Sequence, residues 1–578
     1  MRRTGDADAC ELPDLIAIGN VRDRIVTLTR RQFMRTVLAG SAAALMPVRL
    51  LSARQRSRPN IVLIMADDMG FSDAGCYGGE IQTPNLDRLA AGGLRFTQFY
   101  NCARCCPTRA SLMTGQYPHA VGLARNGRSL TRNGLTIAEA LKGAGYDTAM
   151  VGKWHLSQTP VLSDPKLHQK WLDHQHNPGR PFGPIDTYPA NRGFDKHYGV
   201  IWGVIDFFDP FSLVEGTRSV QSVPEDYYFT DAITDKAVEY VRDCGQTDRP
   251  FFLYFAHCAP HWPLHARAED IAKYKKVYTQ GWEKLRQDRF RRQLKLGLFE
   301  KETTPLPAIQ DRDAGWDDLS EQEKAYQSRK MAVHAAMVDR VDQSVGWLLA
   351  ALKKTGQWDN TLILFLADNG ASPEVPQRPG YDRTGQTRDG RTVKYKDIPL
   401  DELGSELSYT GIGAPWASAA NTPFRYWKQE SFEGGCHTPL IAHWPKGLKA
   451  QAGSVTREVG HVMDIMPTCL ELADLSCPDT FKGQKLTPVE GKSLVPTFAG
   501  KPRKGYDKLF FEHVKGRAVR MGDWKLVAFS RTPEKWELYN LAEDQTETRD
   551  LASRHPERVE EMKAQWQAWA QRVGLEAS

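Results

Sequence analysis

Residues Asn60 to Gly70 read N-I-V-L-I-M-A-D-D-M-G. The apolar run is continuous rather than alternating, so it predicts a strand buried on both faces of a parallel sheet. A near copy, T-L-I-L-F-L-A-D-N-G, spans Thr361 to Gly370. Two further runs behave alike. Tyr146 to Val151 leads into Gly152-Lys153-Trp154-His155, and Pro250 to Ala256 leads into His257-Cys258-Ala259-Pro260-His261-Trp262-Pro263. Between them lie helical patterns over Leu135 to Gly145, Asp231 to Asp243 and Met331 to Leu352. Alternation of this kind predicts an α/β fold with a parallel sheet flanked by helices. Ligands of such sheets bind at the carboxyl ends of the strands. There the chain delivers Asp67, Asp68, Asp368 and Asn369. Three converging carboxylates repel, and a hard dication resolves the repulsion. All-oxygen ligation suits calcium or magnesium better than zinc.

A second stretch, Asn101 to Gly115, reads N-C-A-R-C-C-P-T-R-A-S-L-M-T-G and follows an aromatic-rich strand over Leu94 to Tyr100. Pro107, a residue favoured at the first helical position, and Gly115, a stop signal, bound a short helix. Cys105 and Cys106 therefore fall at a helix N-terminus. Such a place favours an anion and lowers a thiol pKa. Arg109, one turn on, adds a fixed positive charge.

The spacing Cys105-x-Pro107-x-Arg109, followed by Leu112-Met113-Thr114-Gly115, resembles the signature of the sulfatase family. In that family the first Cys is oxidised to formylglycine by a separate maturation enzyme. The frame selects Cys105, because Cys106 is one residue too close to Pro107. The resemblance continues in Gly152-Lys153-Trp154-His155, in Pro260-His261-Trp262-Pro263, and in Lys428 ahead of Phe432-Glu433-Gly434-Gly435. The family often has Arg after Gly-Gly-x, where this chain has His437. The resemblance covers Arg58 to the end. It implies the alkaline-phosphatase-like α/β fold, with a mixed, mostly parallel sheet flanked by helices, and hydrolysis of sulfate monoesters, either arylsulfatase-like or on sulfated carbohydrate. One calcium ion per chain would be held by Asp67, Asp68, modified Cys105, Asp368 and Asn369. By the same analogy Arg109 and Lys153 hold the formylglycine oxygens and His155 accepts a hydroxyl proton. Lys428 and His261 contact the sulfate and help protonate the leaving oxygen. His119 and His257 match no functional position and read as structural. Two alternatives accompany this reading. One is a phosphonate or phosphodiester hydrolase of the same superfamily, and the other is a non-catalytic protein that binds sulfated glycans.

Near the start, Thr29 to Arg35 (T-R-R-Q-F-M-R) and the apolar run Val37 to Val48 resemble a twin-arginine signal. They predict export by the Tat machinery to the periplasm, with residues 1–56 as signal plus upstream extension. Residues 57–475 form the expected catalytic domain, and 476–578 a small C-terminal subdomain with an antiparallel sheet and one packed helix. No run approaches the roughly 20 apolar residues of a membrane helix. The net charge is +6, but residues 1–56 hold ten Arg and five acidic residues and contribute +5 of it. A remainder at +1 argues against a nucleic-acid partner. The ten cysteines are scattered, and an exported chain permits one or two disulfides. The charged segment from Ala266 to Arg329 reads as helices on the surface, and Asp339, Arg340 and Asp342 as a solvated helix face. Substrate specificity is expected in two irregular segments, Gln158 to Pro189 and Ala371 to Thr422.

Overall fold

The computed structural model describes residues 58–310 and 314–575. Cys10 and the twin-arginine segment lie outside the described residues. The first strand, β1 (Asn60–Asp67), shows why the run is apolar throughout. Val62, Ile64 and Ala66 enter one hydrophobic core, and Ile61, Leu63 and Met65 enter another on the opposite face. The period-2 geometry of a strand sorts one run into two cores, as a sheet covered on both faces requires.

Ten further strands complete the sheet: β2 (Leu94–Tyr100), β3 (Asp147–Lys153), β4 (Lys196–Val200), β5 (Leu213–Glu215), β6 (Arg218–Ser219), β7 (Phe251–Pro260), β8 (Thr361–Ala367), β9 (His437–His443), β10 (Ser454–Thr456) and β11 (Gly460–His461). Their order is β10-β2-β9-β8-β1-β7-β3-β4-β5-β6, with β11 also on β2. The central run β8-β1-β7-β3-β4 is parallel, and β9 turns antiparallel against both β8 and β2. The carboxyl ends of β8, β1, β7 and β3 therefore stand side by side. Gly152 permits this convergence: its φ is 101°, and a Cβ there would lie 1.8 Å from the Ala256 carbonyl oxygen.

The helix Cys105–Thr114 starts two residues earlier than the Pro107 signal suggests. Proline is accepted in that first turn because its N–H has no intrahelical partner there. Gly115 ends the helix at φ 70°, as expected.

The C-terminal segment forms an antiparallel sheet of four strands, Leu509–His513, Gly516–Met521, Trp524–Ala528 and Trp536–Asn540. The helix Pro556–Arg572 packs on it through Trp569, whose ring stacks on Phe510 at 5.2 Å. Buried Lys525 ties this sheet to the main one through Glu433 at 2.6 Å. The described residues form one compact unit.

Three expectations are corrected. The charged helix Trp282–Lys295 is not a surface element throughout: Arg289 is fully buried, 2.7 Å from Asp73 and 2.8 Å from Glu80. Asp339 and Asp342 are buried too. Asp342 accepts the backbone N–H groups of Asn85 and Leu86, and Asp339 accepts from Tyr274. Buried groups of this kind are tolerated because each is ion-paired or hydrogen-bonded. The nine cysteines within the described residues are all free.

Candidate active site

Each sheet end contributes a side chain to one buried cluster. From β1 come Asp67 and Asp68, the latter at φ 64°. From β8 come Asp368 and Asn369. The Asn369 amide donates to Asp68 Oδ1 at 2.6 Å, and the Asp68 N–H to Asp368 Oδ1 at 3.3 Å, so the two strand ends are clamped together. Arg109 reaches in from the Cys105 helix. Its Nη2 donates to Asp368 Oδ2 at 2.8 Å and stands 3.6 Å from Asp67 Oδ2. Lys153 at the end of β3 pairs with Asp67, and Lys428 donates to Asp68 Oδ2 at 2.9 Å. His261, beyond β7, places Nε2 3.5 Å from Asp68 Oδ2. Cys105 is 2% exposed. It lies within electrostatic reach of Arg104, Arg109, Lys153 and Lys428. His155, after β3, sits at φ 57°, with its ring against Gly203. A Cβ at 203 would come within 2.3 Å of that imidazole, so only glycine leaves the ring in place.

Burial and charge set the protonation states. Burial, with Lys153 and Arg109 beside it, holds His155 well below its ordinary value. Burial and Lys428 do the same to His261. Both rings are therefore neutral at pH 7. Burial works against the Lys153 charge, but Asp67 and Cys105 more than offset it and raise the amine. Burial also opposes the charge on Lys428, and Asp68 and Glu374 raise it. Burial pushes Asp68 up, against the pull of Lys428.

The oxygens Asp67 Oδ1 and Asn369 Oδ1 are buried and have no hydrogen-bond partner among the described residues. Unpaired buried oxygens beside other carboxylates are what a cation ligand set leaves behind. Asp67, Asp68 and His261 also offer ligand atoms within 4.8 Å of one another, so this cluster could hold a metal ion.

The sequence family described as Sulfatase matches residues 59–475. The chain belongs to the sulfatase family, whose members hydrolyse sulfuric esters. A second match, to the C-terminal region of N-sulphoglucosamine sulphohydrolase, covers residues 424–571. An uncharacterised sulfatase of Schizosaccharomyces pombe is 32% identical, over 90% of this chain and 95% of its own length. The arylsulfatase of Klebsiella aerogenes is 32% identical, over 76% of this chain and 92% of its own. The solved structure of Ps i-CgsB is 25% identical with a TM-score of 0.61, and covers 90% of this chain and 94% of that one.

This sulfatase brings all ten candidate residues to one sheet edge. His119 and His257 stand apart from it: His119 pairs with Glu512 at 2.8 Å, and His257 packs against Phe255 with ring centroids 4.2 Å apart. His437 donates Nδ1–H to the Glu433 carboxylate at 2.8 Å and stacks on Phe424, inside the core.

Sequence reasoning missed three groups. Glu374 collects Arg104 at 3.1 Å, Gln429 at 2.8 Å, Trp262 at 3.0 Å, Ser372 at 3.0 Å and Lys428 at 3.4 Å. Burial works against its charge, but Arg104 and Lys428 overcome it and hold the carboxyl well below the usual range. Arg104 sits directly before Cys105, and that adjacency was a usable signal. Asp73 accepts from the Gly70 N–H and from His334, both at 2.9 Å, and so braces the turn that presents Asp67 and Asp68.

Proposed function

We propose that this sulfatase cleaves sulfate monoesters, preferably of carbohydrates, with formylglycine at position 105 and calcium held by Asp67, Asp68, residue 105, Asp368 and Asn369. One observation carries the reading: Cys105 faces a buried cluster in which four cations, Arg104, Arg109, Lys153 and Lys428, balance four carboxylates, Asp67, Asp68, Asp368 and Glu374. A neutral cluster that takes up a dication becomes positive and so favours an anionic sulfate ester.

A formylglycine hydrate would supply a hydroxyl nucleophile, and calcium would supply positive charge at the sulfuryl oxygens. The protein side chains do the rest. Arg109 is fixed by two bonds to Asp368 and one to the Lys153 carbonyl, so its guanidinium is pre-organised. Lys153 and Lys428 keep their protons and bring positive charge to the cluster. Neutral His155 is ready to accept a proton. Its Nδ1 has no partner among the described residues. His261 donates Nδ1–H to the Trp262 carbonyl at 2.5 Å, which leaves Nε2 as the atom that faces the cluster. An arriving sulfate anion favours uptake of a proton from water at Nε2, and that proton passes to the leaving oxygen.

Carbohydrate is favoured by the match to the N-sulphoglucosamine sulphohydrolase C-terminal region and by Ps i-CgsB, solved also with k-i-k-neocarrahexaose. The Thr29 to Arg35 segment supports Tat export to the periplasm, and Cys105 requires a formylglycine-generating partner. Residues 57–475 would then be the catalytic domain and 476–578 a C-terminal subdomain.

The test is mass spectrometry of the Cys105 tryptic fragment from active protein, together with turnover of an aryl sulfate and an aryl phosphodiester. Formylglycine gives a loss of about 18 Da relative to the thiol. An unmodified thiol in active protein, or a preference for the phosphodiester, overturns the proposal.

A further inference from the structure

The sheet edge that carries Lys153 and His155 continues into a second recess. Val200, the last residue of β4, pairs with Lys153. The chain then runs through Ile201 and Trp202 to Gly203, which lies against the His155 ring. On its other side Trp202 packs against Phe211 and Trp171, with ring centroids 4.9 and 5.7 Å apart. Phe182 stacks on Trp171 at 5.8 Å and 7°. Trp171, Phe182 and Phe211 wall a cavity of about 260 Å³. It is therefore one side-chain layer removed from the residues that back His155.

The lining is chemically selective. Arg180, His176 and Arg388 face the cavity, with side-chain amides and hydroxyls between them and no carboxylate. The adjoining cavity, about 510 Å³, is lined by five carboxylates against two arginines, Arg388 and Arg391, and so carries the opposite balance of charge. Arg388 is held by two bonds to Asp209, at 2.8 and 3.1 Å, and one to the Gln221 carbonyl at 3.0 Å. Three of its five N–H donors are used, and the rest remain for a ligand. Among the described residues neither Arg180 nor His176 makes an ion pair. Side-chain amides and hydroxyls beside guanidinium and imidazole groups, on a wall of packed aromatic rings, match a hexose that bears an anionic group. The space corresponds to roughly nine waters at ~30 Å³ each, enough for one such ring.

We propose that this recess is a second saccharide subsite, which takes a sugar residue bearing a sulfate or carboxylate group in an oligosaccharide substrate. The recess lies behind Trp202 as seen from His155, and its service to a substrate held at residue 105 rests on the sulfatase reading above. The recess is assembled from Gln158 to Pro189, the loop that follows β4, and the segment around Arg388. Two of these are the irregular stretches where the sequence places specificity.

The experiment is calorimetric binding of sulfated tetrasaccharides of chondroitin, heparin and carrageenan to the full chain. It compares the native protein with Arg180→Ser and with Arg180→Ser/His176→Gln. The proposal expects at least one tetrasaccharide to bind tenfold or more tightly than its own sulfated monosaccharide, and the double variant to abolish that preference. Selectively desulfated chondroitin, which keeps its uronates, separates the two anions: retained preference means that carboxylate is read, lost preference that sulfate is. If no tetrasaccharide is preferred, or if the double variant keeps the preference, the subsite is refuted. Binding needs no turnover, so the two proposals fail separately. Loss of tetrasaccharide binding in the variant of a protein that cleaves no sulfate ester leaves the subsite standing alone. Aryl sulfate turnover without any tetrasaccharide preference leaves the sulfatase chemistry standing alone.

Discussion

The indole N–H of Trp262 donates to Glu374 Oε2 at 3.0 Å. Through this carboxylate the neighbour of His261 is joined to the neighbour of Cys105, Arg104, and to the neighbour of Lys428, Gln429. Glu374 thus touches one residue beside each of three candidate catalytic groups, and contacts Lys428 itself. It acts as a positioning residue. Its replacement by Ala is expected to lower kcat by about 10- to 100-fold, the usual cost of removing a supporting partner. Glu374→Gln keeps the shape and some hydrogen bonds but lifts one negative charge from beside Arg104 and Lys428. Inhibition by inorganic sulfate should therefore tighten in Glu374→Gln while kcat falls. A purely structural role would weaken sulfate binding and turnover together, so the sign of the change in the sulfate inhibition constant decides.

Cys105 is 2% exposed at the start of its helix, and the side chain is small. Cys105→Ala should cost only about 1 kcal/mol of stability. Turnover of an aryl sulfate should fall by about 10³-fold or more, since the nucleophile is removed while the binding groups remain. Thermal melting beside steady-state kinetics checks both. A variant that melts normally and retains more than about a tenth of native turnover would remove Cys105 from the chemistry.

What was legible in the sequence is what local pattern encodes. Apolar runs that end in Asp67-Asp68 and Asp368-Asn369 announce buried strands with polar tips, and the structure sets them side by side. The Cys105 spacing encodes a helix start and its charge one turn later. The rest depends on partners far apart in the chain. Glu374 meets Arg104 and Trp262 across 270 and 112 positions, and no periodicity reports that. Arg289 looks like a surface residue until Asp73 and Glu80, more than 200 positions away, are brought to it. Gly203 gives no sign of its role, because the ring it accommodates belongs to another strand end.

The orphaned oxygens of Asp67 and Asn369 give a measurement independent of catalysis. A cation bound only by the folded state stabilises it by mass action, about 2.7 kcal/mol at 100 times the dissociation constant. Calcium added to chelator-treated protein should raise the melting temperature in a concentration-dependent way. Asn369→Ala and Asp67→Asn should abolish most of the rise, by removing a donor oxygen or a ligand charge. An identical calcium-induced rise in both variants would place the ion elsewhere.

His257 makes a prediction about pH. Its ring is fully buried, both nitrogens lack a hydrogen-bond partner among the described residues, and burial drops its pKa to about 3. In the unfolded chain the ring titrates near 6.5. Between these values the unfolded state binds a proton that the folded state refuses, so stability rises with pH across the window and is lost as pH falls through it. One such group contributes a slope of about 1.4 kcal/mol per pH unit. His257→Phe conserves the aromatic contact with Phe255 and removes the proton site. Its unfolding free energy, measured by denaturant titration from pH 4 to 6, should therefore rise less steeply with pH than that of the native protein, by about that amount. His197 and His461, buried alike with pKa values of about 4 and about 3, should keep part of the acid lability in place. Equal slopes in native and variant protein would mean that His257 finds a proton or a partner in the folded state.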